Sequence, residues 1–394
     1  MNVQKLTLSN LRCFKNEEFN FNPGMNLIVG INGVGKSTIL EALFIMLSKA
    51  YSRIMKDVSL NHHFSYDDVL YKAKRMILTI ALMDEIEFYL VSKVYVKDKK
   101  KLDRKYNIIP KKRKLEITTP PFIFFPATRA STYNKRKSAV LKRSILIKDW
   151  ISWFKAMLKM KKEGDDCASR MIESMHDSLS EFWEQKVEIT SYRSQLFLKK
   201  EEKKILIKQL SDGEKSILSL IFEITRNIYN CYKDSPDPFK SGKLTILIDE
   251  IDLHLHPKWQ REIVGKLTGI FPNCQFICTT HSPFVIQSLR KGTLINLDND
   301  NKNSDFYNKS IEDITEDIMG VKMPQKSKRY IEMISAAEEY YKILKKPTTE
   351  EQKQKAKEKL DELSIRYSDD PAYIAFLKVE KEFKEAKEKN ETSK

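Results

Sequence analysis

Cysteine is scarce and scattered. Cys13, Cys167, Cys231, Cys274 and Cys278 form no spaced framework, which excludes a disulfide-stapled fold and predicts a protein of the reducing cytoplasm. Cys274 and Cys278 fall on one apolar run and read as core. Long apolar stretches are absent too. At 41% hydrophobic content, no segment reaches the length of a membrane-spanning helix, and Met1–Asn10 carries no signal-peptide pattern. No membrane partner is expected. Sustained heptads are missing, which excludes long coiled-coil arms. Metal-ligand clusters are missing as well: His254 and His256 form a His-x-His pair with no evident third ligand, so an interface role is preferred to a metal site. With 394 residues the chain is long enough for a full core and more than one domain.

What is present begins at Gly30–Ser37, G-I-N-G-V-G-K-S, a phosphate-loop pattern. The apolar run Met25–Val29 before it predicts a buried parallel strand. The residues Thr38–Ser48 after it predict an amphipathic helix with Ile39, Leu40, Leu43 and Leu47 on its apolar side. Glycines at such a strand-to-helix turn let backbone N–H groups close around phosphate oxygens, aided by the helix N-terminus. Lys36 is expected to bridge the β- and γ-phosphates of ATP, and Ser37 to ligate Mg2+. A second apolar strand, Ile246–Ile248, ends in Asp249 and Glu250. Asp249 is placed to hold Mg2+ and Glu250 to polarise the attacking water. A third strand, Phe276–Cys278, leads to Thr280 and His281, the latter a candidate switch toward the γ-phosphate.

Charge is uneven. The formal net charge is +16, and Val91–Lys162 alone carries 22 Lys/Arg against 4 Asp/Glu. Tyr95, Tyr106, Phe122, Tyr133, Trp150 and Trp153 interleave with this band. Such a segment attracts phosphate backbones, with Lys111, Lys112, Arg113, Lys114, Lys135, Arg136 and Lys137 as nucleic-acid candidates, although it carries no visible base-reading code. A solvated basic face or an acidic partner subunit would satisfy the same charge.

Leu210–Ser216, L-S-D-G-E-K-S, completes the set in the order of an ABC-type ATPase and resembles the signature loop of the RecF/SMC-like branch. The opening Leu6-x-Leu8-x-Asn10-Leu11-Arg12-x-Phe14 is similar to that branch's first strand. The resemblance implies an α/β head in which the signature loop acts in trans. Ser211 and Gly213 of one subunit would cap the γ-phosphate held by Lys36 of another, in a homodimer or a multiple of dimers. It carries the nucleotide-binding set over to Arg12, Asn32, Gly33, Val34, Gly35, Lys36, Ser37, Thr38, Ser211, Gly213 and Glu214. D-E-I-D-L-H-L-H-P-K-W-Q at Asp249–Gln260, F-P-N-C-Q-F-I-C-T-T-H-S-P after it, and Glu312–Val321 together resemble the PtuA-type ATPases of Septu and retron-associated antiphage systems. That likeness implies a separate HNH-type (PtuB-like) nuclease subunit. It also leaves room for phage DNA, tRNA or retron msDNA on residues 91–162. Two departures stand out. No glutamine follows the strand Pro121–Phe125, where Arg129 is the nearest polar candidate, and the usual D-loop aspartate is not obvious.

The expected organisation is a split head, 1–96 and 186–300, around a basic and then helical insertion, 97–185, with a linker and helical region at 301–394. Met76–Met83 and Ile86–Val96 read as antiparallel strands, and Gln185–Gln209 returns to strand patterning. The tail stripe Tyr330, Ile334, Ala337, Tyr341, Leu344 lies on one helix face, and near-balanced charge there suits protein docking. OLD-type nucleases add a Toprim domain to the same head. Here Asp298-Asn299-Asp300 is the one D-x-D in that region and it precedes a loop and helices, so no intrinsic nuclease is predicted. The leading functional expectation is a slow regulatory ATPase of an antiphage complex. A RecF-like DNA-repair ATPase and a scaffold that binds ATP structurally are the alternatives.

Overall fold

The computed structural model describes residues 2–54, 63–71, 73–83, 88–98, 101–109, 121–127, 147–193, 195–201, 203–235, 237–298 and 308–321, with 331–332, 335–336, 339–340, 342–343 and 350–364 beyond them. In chain order the strands are β1 (Asn2–Leu11), β2 (Phe14–Asn20), β3 (Met25–Val29), β4 (Arg75–Met83), β5 (Phe88–Asp98), β6 (Lys101–Ile109), β7 (Phe122–Phe125), β8 (Val187–Tyr192), β9 (Gln195–Lys200), β10 (Lys203–Leu206), β11 (Thr245–Ile248), β12 (Gln275–Thr279) and β13 (Thr293–Asn296). The helices of the same region are α1 (Lys36–Ile54), α2 (Ile147–Lys162), α3 (Asp166–Trp183), α4 (Asp212–Tyr232), α5 (Pro238–Ser241), α6 (Pro257–Gln260), α7 (Ile263–Ile270), α8 (Pro283–Gln287) and α9 (Ile311–Asp317).

The apolar runs explain the centre of the molecule. β13-β3-β12-β11-β7 form a parallel sheet, and its inner strands are buried on both faces, as continuous apolar strands must be. Successive side chains leave opposite faces of a strand. Leu27, Ile123, Phe125, Ile246, Ile248, Phe276 and Cys278 therefore pack on one side, with Phe154 of α2, Leu179 of α3, Phe222 of α4 and Leu267 of α7. Ile28, Phe122, Phe124, Leu247 and Ile277 pack on the other, against α1 and the antiparallel sheet. Each large side chain buried this way contributes about 1.5–3 kcal/mol relative to exposure. Cys274 and Cys278 are buried, as expected of core residues.

The second sheet, β2-β1-β4-β5-β6, is antiparallel, and β10-β9-β8 forms a third. β4 and β5 lie where the strand patterning predicted them. The first part of 97–185 differs from expectation. Lys101–Ile109 is a strand, paired with β5 from Tyr89↔Ile109 to Asp98↔Lys101. It is the last strand of its sheet, and Lys105 on it is exposed. Helix α1 also runs on past Ser48 to Ile54, because Ala50 and Tyr51 remain buried beyond it.

One compact unit spans Met1–Met319 and a second Gly320–Lys394. Helix α9 belongs to the first, where Ile314 and Ile318 pack with Val29 and Ile286. In the second, Glu350–Ser364 is helical, Ala336 and Tyr340 are buried, and Lys359 pairs with Glu339 at 3.3 Å. The stripe Tyr330, Ile334, Ala337, Tyr341, Leu344 lies outside the described residues. Among the described residues, no helix is long and apolar enough to cross a membrane.

Candidate nucleotide site

The parallel strands β3, β11 and β12 end side by side, and each delivers its next residues to one place. β3 opens into the loop Gly30–Gly35, and α1 starts at Lys36. Gly30, Gly33 and Gly35 have φ of 149°, 84° and 113°, values that L side chains rarely adopt. At Gly35 close approach adds to this, since a Cβ would meet Phe14 Cζ at 2.5 Å and Cys13 Sγ at 2.7 Å. The turn between β1 and β2 therefore presses on the loop. Gly33 faces open space and Asn32 is exposed beside it, so this part of the loop is free to receive a ligand.

Lys36 is only 7% exposed and folds back over its own loop, its Nζ donating to the carbonyls of Gly30 at 2.7 Å and Ile31 at 2.8 Å. Burial lowers its pKa from the usual lysine value, an effect partly offset by the carboxylates of Asp298, Asp249, Glu250 and Asp252. Ser37 Oγ donates to Asp249 Oδ1 at 3.1 Å. The same carboxylate oxygen accepts from Thr279 Oγ1 at 2.6 Å, and Thr279 Oγ1 accepts from the Glu250 N–H at 2.8 Å. The Ser37, Asp249 and Glu250 predicted from three separate stretches thus share one bonded cluster, with Thr279 as its unpredicted hub. Glu250 is half-buried and sits at φ 50°, in the left-handed region. Holding a non-glycine residue there costs about 1–2 kcal/mol, which the bonds of the preceding strand end offset.

The stretch after Glu250 is tied to the switch. Thr280 Oγ1 donates to Asp252 Oδ1 at 2.5 Å, the Ser282 N–H donates to Thr280 Oγ1 at 3.0 Å, and Ser282 Oγ donates to Gln260 Oε1 at 2.7 Å. His281 lies between these anchored residues, half-buried, and bonds no described residue. Asp252 is a site residue that sequence reasoning passed over. Its signal was the D-E-x-D spacing, which returns a carboxylate to the same strand end. His256 caps α6 through Nδ1, which accepts from the Lys258 N–H at 3.2 Å. Among the described residues, no group of three or more His, Cys, Asp or Glu is arranged to hold a metal ion.

Arg12 lies beside the loop but is paired away from it. Its guanidinium contacts Glu41 at 2.7 Å and Asp68 at 2.8 Å, and donates to Thr38 Oγ1 at 3.2 Å. Burial pulls its pKa down, and the two carboxylates more than reverse this. Val34 meets the same turn through its carbonyl, 3.5 Å from Cys13 Sγ.

The signature residues are separate from this cluster. Ser211 caps α4 in a capping box: its Oγ accepts from the Glu214 N–H at 3.3 Å, and Glu214 Oε2 accepts from the Ser211 N–H at 2.9 Å. The other oxygen of Glu214 pairs with Lys200 Nζ at 2.5 Å. The carboxylate expected on nucleotide is thus committed to the helix start, and its pKa is lowered: burial alone would raise it, but Lys200 and Ser211 outweigh that. Gly213 is buried, and a Cβ there would meet the His254 carbonyl at 2.6 Å, so the signature helix rests on the loop that follows Glu250. Ser211 and Asp212 remain exposed. Arg129 and all seven nucleic-acid candidates, Lys111, Lys112, Arg113, Lys114, Lys135, Arg136 and Lys137, lie outside the described residues.

A glycine-rich strand-to-helix loop at the ends of a parallel sheet, with a buried lysine and a paired hydroxyl and carboxylate, defines a P-loop nucleotide hydrolase. The family model described as AAA domain matches residues 5–235, and the chain belongs to this family of ATPases. It is similar to "Septu protein PtuA" of Bacillus thuringiensis, 26% identical over 85% of this chain and 88% of that one. It is also similar to "Retron Vc95 probable ATPase" of Vibrio cholerae serotype O1 biovar El Tor, 25% identical over 73% of each chain. Among solved structures, an SMC head bound to the C-winged helix domain of ScpA is matched at 19% identity, over 71% of this chain and 89% of that chain, with a TM-score of 0.47. The resemblance to PtuA-type, RecF/SMC-like ATPases read from the motifs therefore stands, and the protein is an ATPase.

Proposed function

We propose that this ATPase is the regulatory subunit of an antiphage complex. Two copies would enclose ATP and Mg2+ between them and control a separate HNH-type nuclease. The observation that carries this reading is the likeness to a Septu PtuA along 85% of the chain. The residues present fit the nucleotide and the ion. The charges of Asp298, Asp249, Glu250 and Asp252 all act on the buried Lys36 ammonium, negative charge that suits a dication, and Ser37 with Asp249 offers it hard oxygen donors. Bound Mg2+ would neutralise charge on the phosphates.

The chain's own groups divide the remaining work. The N–H groups of Asn32 to Thr38 cradle phosphate oxygens, and Lys36 leaves its own carbonyls to meet them. Glu250, held rigid through Thr279, orients and polarises water. His281 reaches the γ-phosphate from the β12 end. Ser211 and Gly213 of a second copy close the site. Lys111–Lys114 and Lys135–Lys137 bind nucleic acid through phosphates; changing Lys111, Lys112, Arg113 and Lys114 to Glu is expected to weaken binding on every sequence and flatten its salt dependence.

The test is a nuclease assay with Mg2+ or Mn2+. The isolated chain is expected to cut neither DNA nor RNA, while its complex with the co-purified HNH subunit cuts under the control of ATP. Robust cleavage by the pure chain would overturn the regulatory reading. ATP-driven loading on DNA ends without any nuclease partner would favour the repair-type alternative.

A further inference from the structure

Asp298 is bound to the phosphate loop. β13 pairs with β3 along Thr293–Asn296, and the Leu297 N–H continues the ladder to the Val29 carbonyl at 3.0 Å. The next residue is therefore delivered to the first turn of the loop. Asp298 is held there by its own turn, its N–H donating to Asn296 Oδ1 at 3.0 Å. Its Oδ2 accepts from the Ile31 N–H at 2.6 Å. Gly30 makes room for this contact, because a Cβ at that position would lie 3.2 Å from Asp298 Oδ2 and 3.3 Å from Leu297 Cβ. The carbonyl of the same Ile31 accepts from Lys36 Nζ. One residue of the loop is thus gripped by a carboxylate on its N–H and by Lys36 on its C=O.

We propose that Asp298 is a positioning residue of the nucleotide site, which fixes the first turn of the phosphate loop and opposes the phosphates in drawing Lys36 outward. The first part follows from geometry, since Ile31 is 60% exposed and Asp298 is the described side chain that anchors its N–H. The second follows from charge. A carboxylate at the loop attracts the ammonium inward and repels a polyanion. Asp298 is itself exposed, so this repulsion is screened and its effect is modest. The role also accounts for the first acid of the D-x-D at 298–300 without any nuclease chemistry. The inference rests on the chain binding nucleotide.

Two variants separate the parts. Asp298→Asn keeps an oxygen acceptor for Ile31 and removes the charge. Asp298→Ala removes both. The readouts are hydrogen exchange of the Ile28–Gly35 segment and the affinity of a fluorescent ATP analogue with Mg2+ at low and high salt. Asp298→Asn is expected to keep wild-type exchange and bind the analogue about threefold tighter at low salt, with the gain lost at high salt. Asp298→Ala is expected to raise exchange about tenfold or more and to bind more weakly. Wild-type exchange and affinity in both variants would overturn the proposal. Should Asp298→Ala fail to fold, salt-insensitive, wild-type affinity in Asp298→Asn overturns it alone. Failure of the wild-type chain to bind the analogue would instead overturn the nucleotide reading.

Discussion

At the phosphate-loop end of the site, Lys36, Ser37, Asp249, Thr279 and Glu250 are bonded to one another or to the loop they belong to. At the signature end, the side chains of Ser211 and Glu214 bond each other and Lys200, and none of them bonds the phosphate loop. Only the first of these clusters gathers residues from three separate strand ends. The other is a finished helix start that presents Ser211 to solvent. Held by Glu214 and exposed, Ser211 stands on the face that the proposed function brings against another chain. The phosphate-loop cluster is thus internal to the fold, whereas Ser211 lies on its surface.

The contrast yields graded expectations. The largest effect lies at the phosphate-loop end. Lys36→Ala is expected to abolish nucleotide binding, since the phosphates lose their fixed charge. Glu250→Gln is expected to bind ATP normally and hydrolyse it about 10²–10⁴-fold more slowly, trapping the closed dimer. Titration with a fluorescent nucleotide and a phosphate-release assay check both. Wild-type turnover in Glu250→Gln would remove Glu250 from its role.

A smaller effect belongs to the signature end as a structure. Glu214→Ala breaks the capping box and the Lys200 pair, and is expected to cost about 1–2 kcal/mol, visible as a midpoint lowered by about 2–4 °C. Nucleotide affinity should not change, because the carboxylate serves α4. A loss of affinity with unchanged stability would return Glu214 to the nucleotide.

The smallest effect is on pH dependence. His176 on α3 is held neutral, its pKa lowered mainly by burial, and its Nε2 accepts from the Ile189 N–H at 3.0 Å. A histidine depressed in the fold contributes stability above its ordinary value of about 6.5 and loses it as pH falls through the folded value. Stability is expected to decline gently below that pH, and His176→Gln to flatten the decline. An unchanged profile would assign the decline to other groups.

The phosphate-loop end was also the legible end. Met25–Val29, Ile246–Ile248 and Phe276–Cys278 are short, largely apolar runs of strand length bounded by turn residues, and a parallel sheet brings their ends together. What each end residue bonds was not legible. Thr279 as hub and Asp252 under Thr280 depend on which strands are neighbours. Asp298 at Ile31 joins positions 267 residues apart. The lysine-rich β6 read as a basic insertion because charge hid its alternation, although an edge strand tolerates such charge. Ser211-x-x-Glu214 did carry a local signal, the spacing of a capping box, which the signature motif overshadowed.

On the proposed function, one copy supplies the phosphate loop and another the signature surface. Mixing Lys36→Ala with Ser211→Arg subunits tests it most directly. Each variant alone is expected to be inactive in hydrolysis, while verified heterodimers carry one dead site and one intact site and regain partial ATPase activity. No recovery in such heterodimers would contradict the account.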